Sequence, residues 1–231
     1  ILEGPYQFHG LAEKILDQGM SSFGILLPGH GGSAREFAKS HRKQWIKYVN
    51  CQIEEISKKY PQIILVGHSM GTLLSLLVCE KHEAVVGVVC LATPLSVKVS
   101  LKGFVCSLKV LTGHYSQDDE YVLASYRAWS ISKGTWGDYL KWIPRYLDLF
   151  HLIYETKKQL PMIKKPLLFI DCQCDEFVRN RTTKILKKKL TGDNYELIEL
   201  CKSGHFYYRG DESQTLEQAI LKFVTQFKVD N

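Results

Sequence analysis

The stretch "LVGHSMGTLL" at 65–74 constrains this chain more than any other. The apolar run "QIILVG" (62–67), announced by Pro61, reads as a buried strand, and "TLLSLLVCEKH" (72–82) reads as an apolar helix. Between them, Gly67-His68-Ser69-Met70-Gly71 spells G-x-S-x-G. A strand that turns this sharply into a helix presents the serine hydroxyl at the tip of the turn. The serine then needs strained backbone angles. The positions two residues to either side are expected to be glycine because side chains there would collide. The same turn brings the Met70 amide and the positive end of the following helix beside Ser69. By chance alone the pattern occurs in roughly one in ten chains of this length, so the flanking strand and helix carry the weight of the reading.

The rest of the chain alternates in the same way. "FGILL" (23–27) reads as a short buried strand, and 34–59 as a helix with Trp45, Ile46, Val49, Ile53 and Ile56 at helical spacing. "AVVGVVCLA" (84–92), "PLLFIDC" (166–172) and "YELIELC" (195–201) read as three more strands, and "SQTLEQAILKFVTQF" (213–227) as a closing amphipathic helix. Apolar strands without two-residue alternation, separated by helices, predict an α/β fold with a mostly parallel sheet covered on both faces. Residues 95–160 interrupt the rhythm. They are rich in Trp and Tyr and hold no strong strand, which predicts a helical insertion. The expected division is a core of 1–94 and 161–231 with a cap at 95–160.

At 231 residues the chain can bury one large core. The net charge of +6 is spread out except in "KILKKKL" (184–190), where helical spacing predicts a solvated helix face and argues against a nucleic-acid partner. A weak attraction to anionic membrane surfaces is compatible with it. No run reaches the roughly 18 apolar residues of a membrane span, and no signal peptide is visible. Most of the seven cysteines lie in apolar segments. They read as core residues of a protein in a reducing compartment, with a cytoplasmic location expected. Cys172-Gln173-Cys174 is too close for a zinc knuckle, and no G-x-G-x-x-G follows a strand, so neither a metal nor a cofactor is expected.

A serine nucleophile needs a base, and the base an orienting carboxylate. On a strand–turn–helix scaffold they follow in the order serine, acid, histidine. "PLLFIDCQCDEFV" places Asp175 just past a strand end, and "YELIELCKSGHF" places His205 in the loop after the next strand. Asp171, within its strand, and Glu176, one residue on, are the competing acids. Among the histidines, His9, His41, His82, His114 and His151 fall in helical or cap segments and His68 lies inside the turn, which leaves His205 with the right order and loop position.

With "LPGHGGS", "LVGHSMG", "LATP", "CDEFV" and "SGHF" in this order, the sequence resembles the α/β-hydrolase superfamily, and more closely small bacterial carboxylesterases and monoacylglycerol lipases. The resemblance implies a helical cap over 95–160 and ester hydrolysis through an acyl-enzyme, with a small acyl ester as substrate. Ser69 would attack the carbonyl, His205 would take its proton and later activate water, Asp175 would hold the imidazolium, and the Met70 amide would be one oxyanion donor. Thioesterases and amidases use the same triad. The fold also serves as a non-catalytic binding module. Oligomeric state is not readable.

His30-Gly31-Gly32 looks at first like the source of the second oxyanion donor. In the family that His-Gly pair ends an early strand some 70 residues before the nucleophile, whereas "PGHGG" stands about 40 residues before Ser69. It therefore reads as a glycine loop that turns the chain from strand to helix. "ILEGPYQFHGLAEKIL" resembles the segment that follows the His-Gly pair in relatives. That register implies that Ile1 or Leu2 occupies the donor position, and that His9-Gly10 belongs to the helix. The expectation is an N-terminally truncated version of a longer protein, its early strands missing, with either a gap in the sheet between "FGILL" and the nucleophile strand or a direct pairing of the two.

Overall fold

Four of the five apolar runs form strands in the computed structural model, which describes residues 1–190 and 192–228. They are β1 (Ile63–His68), β2 (Val85–Leu91), β3 (Leu167–Cys172) and β4 (Tyr195–Leu200), all parallel and in that order across the sheet. β3 is buried along its whole length. β4, at one edge, leaves Glu196 and Glu199 exposed.

The fifth run is a correction. Residues 23–27 carry no strand assignment and pair with nothing in the sheet. A strand exists by hydrogen-bonding to a neighbour, and here the nearest sheet edge is out of reach. Phe23, Ile25 and Leu27 face Ile63, Ile64, Leu65 and Val66 of β1 across a cavity of about 600 Å³. Of the two expected outcomes the gap is the one present, and the direct pairing is not: "FGILL" is left without a strand partner.

Helices cover both faces of the sheet. Side chains of alternate parity sort between them, as parallel strands require. Val88, Cys90, Leu167 and Phe169 pack with α3 (Arg42–Ser57), α4 (Met70–Val78), α8 (Ile143–Gln159) and α9 (Arg181–Lys189). Val89, Leu91, Leu168 and Ile170 pack with Ile15 of α1 (His9–Asp17) and with Leu216, Ile220 and Phe223 of α10 (Gly210–Thr225).

The helix expected over 34–59 is two helices, α2 (Ala34–Lys39) and α3. Ser40 turns extended, with ψ 165°, and His41 caps α3 by accepting the Gln44 amide at its ring nitrogen. The carbonyls of Ala38 and Ser40 are taken by the Arg145 guanidinium, so the break is satisfied from outside.

Residues 95–160 form α5 (Leu101–Thr112), α6 (Glu120–Ala128), α7 (Trp136–Leu140) and α8. α8 lies on α4, and Gln159 donates to the Leu76 and Leu77 carbonyls. α5 keeps Leu101, Phe104 and Val105 exposed. Of the seven cysteines, all free, Cys79, Cys90, Cys106 and Cys172 are buried. Among the described residues no helix is long and apolar enough to cross a membrane.

Candidate active site

Ser69 caps α4 at φ 51° and ψ −120°, a conformation that L residues avoid. The flanking glycines explain how the turn holds. A Cβ on Gly67 would stand 2.6 Å from the Gly71 carbonyl carbon and 2.7 Å from the Thr72 nitrogen, so only glycine fits there. The same expectation fails at Gly71. A Cβ at that position would meet nothing within 4 Å, because Gly71 borders the cavity beside β1. The Ser69 amide donates to the Leu91 carbonyl and its own carbonyl accepts from the Thr72 hydroxyl, which pins the turn to β2 and α4.

Ser69, Asp175 and His205 are each buried, and the last two are hydrogen-bonded. Asp175 sits in the loop after β3. Its Oδ1 accepts the Phe177 and Val178 amides, each at 2.7 Å, and its Oδ2 accepts from His205 Nδ1 at 2.6 Å. Burial pushes the Asp175 pKa up, but the His205 charge and these donors outweigh it and hold the carboxyl below its usual range. For His205, burial alone would lower the pKa. The Asp175 carboxylate, and then Glu3, reverse this and raise it to about 9.

Both rival acids have other duties. Asp171 is inside β3 and accepts from the Thr93 amide and the Thr183 hydroxyl. Glu176 accepts the His205 backbone amide at 3.1 Å on one oxygen and pairs with Lys102 at 2.8 Å through the other. It therefore positions the histidine's backbone while Asp175 holds the ring.

Glu3 was invisible to sequence reasoning. Its carboxylate meets His68 Nδ1 at 2.5 Å and stands 3.8 Å from His205 Nε2. Burial would raise the Glu3 pKa. The His68 charge and hydrogen bonds from both histidines hold it well below the usual range instead. Among the described residues no hydrogen bond joins Ser69 Oγ to His205 Nε2; Glu3 is the carboxylate facing that nitrogen. Only a spacing in three dimensions could have singled it out, since Glu3 and His205 lie 202 positions apart.

Met70 begins α4, next to Ser69. Ile1 lines the cavity with Glu3, His68 and Met70. Its carbonyl accepts from His30 Nε2 at 2.9 Å, and the Leu2 carbonyl accepts from the Ser130 amide and hydroxyl. The "PGHGG" segment is a turn with Gly29 and Gly31 at φ 83° and 77°. It leads into α2 through a capping box of Ser33 and Glu36. The turn's histidine ties down the first residue of the chain.

The sequence profile of the serine aminopeptidase S33 family matches residues 5–206, most of the chain, including Ser69, Asp175 and His205. The chain belongs to that family. It is thus an α/β hydrolase and an enzyme. No curated protein sequence matched it. Among solved structures, the hydrolase is similar to metagenome-derived lipolytic enzymes described as LipS and LipT, at 16% identity and TM-score 0.73, covering 98% of this chain and 90% of that one. It is similar to the monoacylglycerol lipase of Paleococcus ferrophilus, at 18% identity and TM-score 0.72, over 99% of this chain and 92% of that one. It is also similar to the enol-lactonase of Burkholderia xenovorans LB400, at 15% identity and TM-score 0.56, over 96% and 87%. Likeness at this level concerns the fold of the hydrolase.

Proposed function

We propose that this hydrolase cleaves carboxylic esters of small acyl or monoacylglycerol type through an acyl-enzyme on Ser69. The observation that carries the reading is the 2.6 Å bond between buried Asp175 and His205 Nδ1, beside a serine on a strained turn. Asp175 fixes the tautomer in which Nε2 is the base. Ser69 Oγ adds to the ester carbonyl while its proton passes to His205 Nε2. The oxyanion is met by the Met70 amide, with Ile1 or Leu2 in the position of the second donor. His205 then protonates the leaving alcohol, and a water activated by the same nitrogen hydrolyses the acyl-enzyme.

The ester assignment draws on the apolar lining of the cavity, where Phe23, Ile53, Ile64 and Val66 would receive an acyl chain. The lipolytic enzymes, the monoacylglycerol lipase and the enol-lactonase among the similar structures point the same way. Helices α5 to α8, residues 95–160, would be the cap of the family. The family's description as a serine aminopeptidase favours a second reading, an amide substrate cleaved by the same residues.

A fluorophosphonate probe should label the wild type and fail on Ser69→Ala. A panel of p-nitrophenyl esters from short to long chains, run beside aminoacyl p-nitroanilides, separates the two substrate readings. Failure of a folded wild-type protein to label would favour a binding module.

A further inference from the structure

Three side chains, two of them lining the cavity, converge in a way the hydrolytic scheme does not require. Glu3, His68 and His205 each turn one potential ligand atom inward, and these atoms all lie within 4.8 Å of one another. The outward contacts of the two rings fix which nitrogen faces in. His68 Nε2 meets the His205 carbonyl at 2.8 Å, and a carbonyl only accepts, so Nε2 carries the hydrogen and Nδ1 faces Glu3. His205 Nδ1 meets the Asp175 carboxylate at 2.6 Å, so Nδ1 carries the hydrogen and Nε2 faces Glu3. Two imidazole nitrogens and a carboxylate thus share one focus; the proton between Glu3 and His68 Nδ1, and the one on His205 Nε2, leave to solvent when a metal ion takes their place. Each imidazole is oriented by an acceptor behind it, the outer-shell arrangement that metal-binding histidines use.

We propose that Glu3, His68 and His205 form a zinc site, and that zinc bound there blocks the hydrolase. Two imidazole nitrogens and one carboxylate suit Zn²⁺, with a water or the Ser69 hydroxyl as fourth ligand. Tetrahedral bonds of about 2.1 Å put ligand atoms about 3.4 Å apart, so the 2.5 Å Glu3–His68 contact widens and the longer separations close by side-chain adjustments of roughly an ångström. The cavity that Glu3 and His68 line gives the ion a path in. Occupation by zinc takes the Nε2 lone pair of His205, which a general base needs. The inhibitory part of the inference rests on the proposed function; the binding part does not.

The test uses the full chain, freed of metal by chelation, with binding read separately from hydrolysis. Co²⁺ titration should give the visible absorption of a tetrahedral site, bleached by one equivalent of Zn²⁺. Zn²⁺ should also raise the melting temperature. Glu3→Gln and His68→Gln, each verified as folded by circular dichroism, should bind at least about tenfold more weakly, since even the loss of an outer-shell partner costs 10–100-fold. Zinc should abolish fluorophosphonate labelling of the wild type at concentrations that leave Glu3→Gln labelled. Absence of the cobalt spectrum, or equal zinc affinity in wild type and both variants, overturns the site. Zinc binding without any loss of labelling overturns the inhibition. A protein that binds zinc through these residues but hydrolyses no ester sinks the proposed function and leaves the site standing.

Discussion

The Glu3 carboxylate stands 3.8 Å from His205 Nε2, on the side of the ring opposite Asp175. The proposed hydrolysis asks for one carboxylate, behind the histidine. Here a second one faces Nε2, the nitrogen proposed as base, and it stabilises the protonated ring that cannot act as one.

This arrangement sets a pH dependence. The groups facing His205 are Asp175 and Glu3, with the His68 ring centroid 4.8 Å away and Glu176 on its backbone amide. Its pKa is raised to about 9, so the neutral base accumulates as pH rises towards that value. Esterase activity of chelator-treated enzyme should climb from neutral pH to about 9. Glu3→Gln should move that limb to lower pH, as read from the pH profile of kcat/KM. An unchanged limb would remove Glu3 from the account.

The two glycines of the turn should behave oppositely. Gly67→Ala drives a Cβ into backbone at 2.6 Å and should cost about 1–3 kcal/mol of stability, with activity lost as Ser69 shifts. Gly71→Ala enters open space within α4, where alanine is favoured over glycine by roughly 0.5–1 kcal/mol. Thermal melts of the two variants should therefore move in opposite directions.

Glu176 acts on His205 through its backbone. Glu176→Ala leaves the buried His205 amide without its acceptor, at about 1–3 kcal/mol, and should lower kcat more than it changes KM. Glu176→Gln keeps an acceptor oxygen and should recover most of the loss. A glutamine variant as impaired as alanine would show that charge, through Lys102, matters more than position.

Asp171 stores a pH-dependent instability. Burial raises its pKa to about 7, against a donor from Thr93 that pulls it down. Between the unfolded value near 3.9 and about 7, the folded chain holds the proton more tightly, so stability falls as pH rises across that window and then levels. Asp171→Asn should remove the fall, worth about 1.4 kcal/mol per pH unit over the window. Denaturant midpoints of both proteins at pH 5 and pH 8 measure it.

What the sequence revealed follows the range of the forces involved. The turn at Ser69 is encoded within five residues, and Gly67 is glycine for a contact only four residues away. Asp175 and His205 could be read because chain order places them at neighbouring strand ends, and the structure puts them 2.6 Å apart. "FGILL" has a strand's composition, yet strandness belongs to a pair, and its neighbour across the cavity is too far to bond. The break at Ser40 and His41 escaped the helical periodicity because its carbonyls are satisfied by Arg145, about a hundred positions away. Glu3 escaped for the same reason: its meaning lies wholly in what folds around it.

β1, which delivers Ser69, forms the rim of its sheet. Amides at 63 and 69 reach inward to β2, so by alternation those of Ile64, Val66 and His68 point towards the cavity. The strand is stitched along one side only. Hydrogen exchange along it should therefore read as a comb, slow at Leu65 and Gly67 and fast at Ile64 and Val66. Opening of that kind would loosen the turn at Ser69 while the rest of the sheet stays closed.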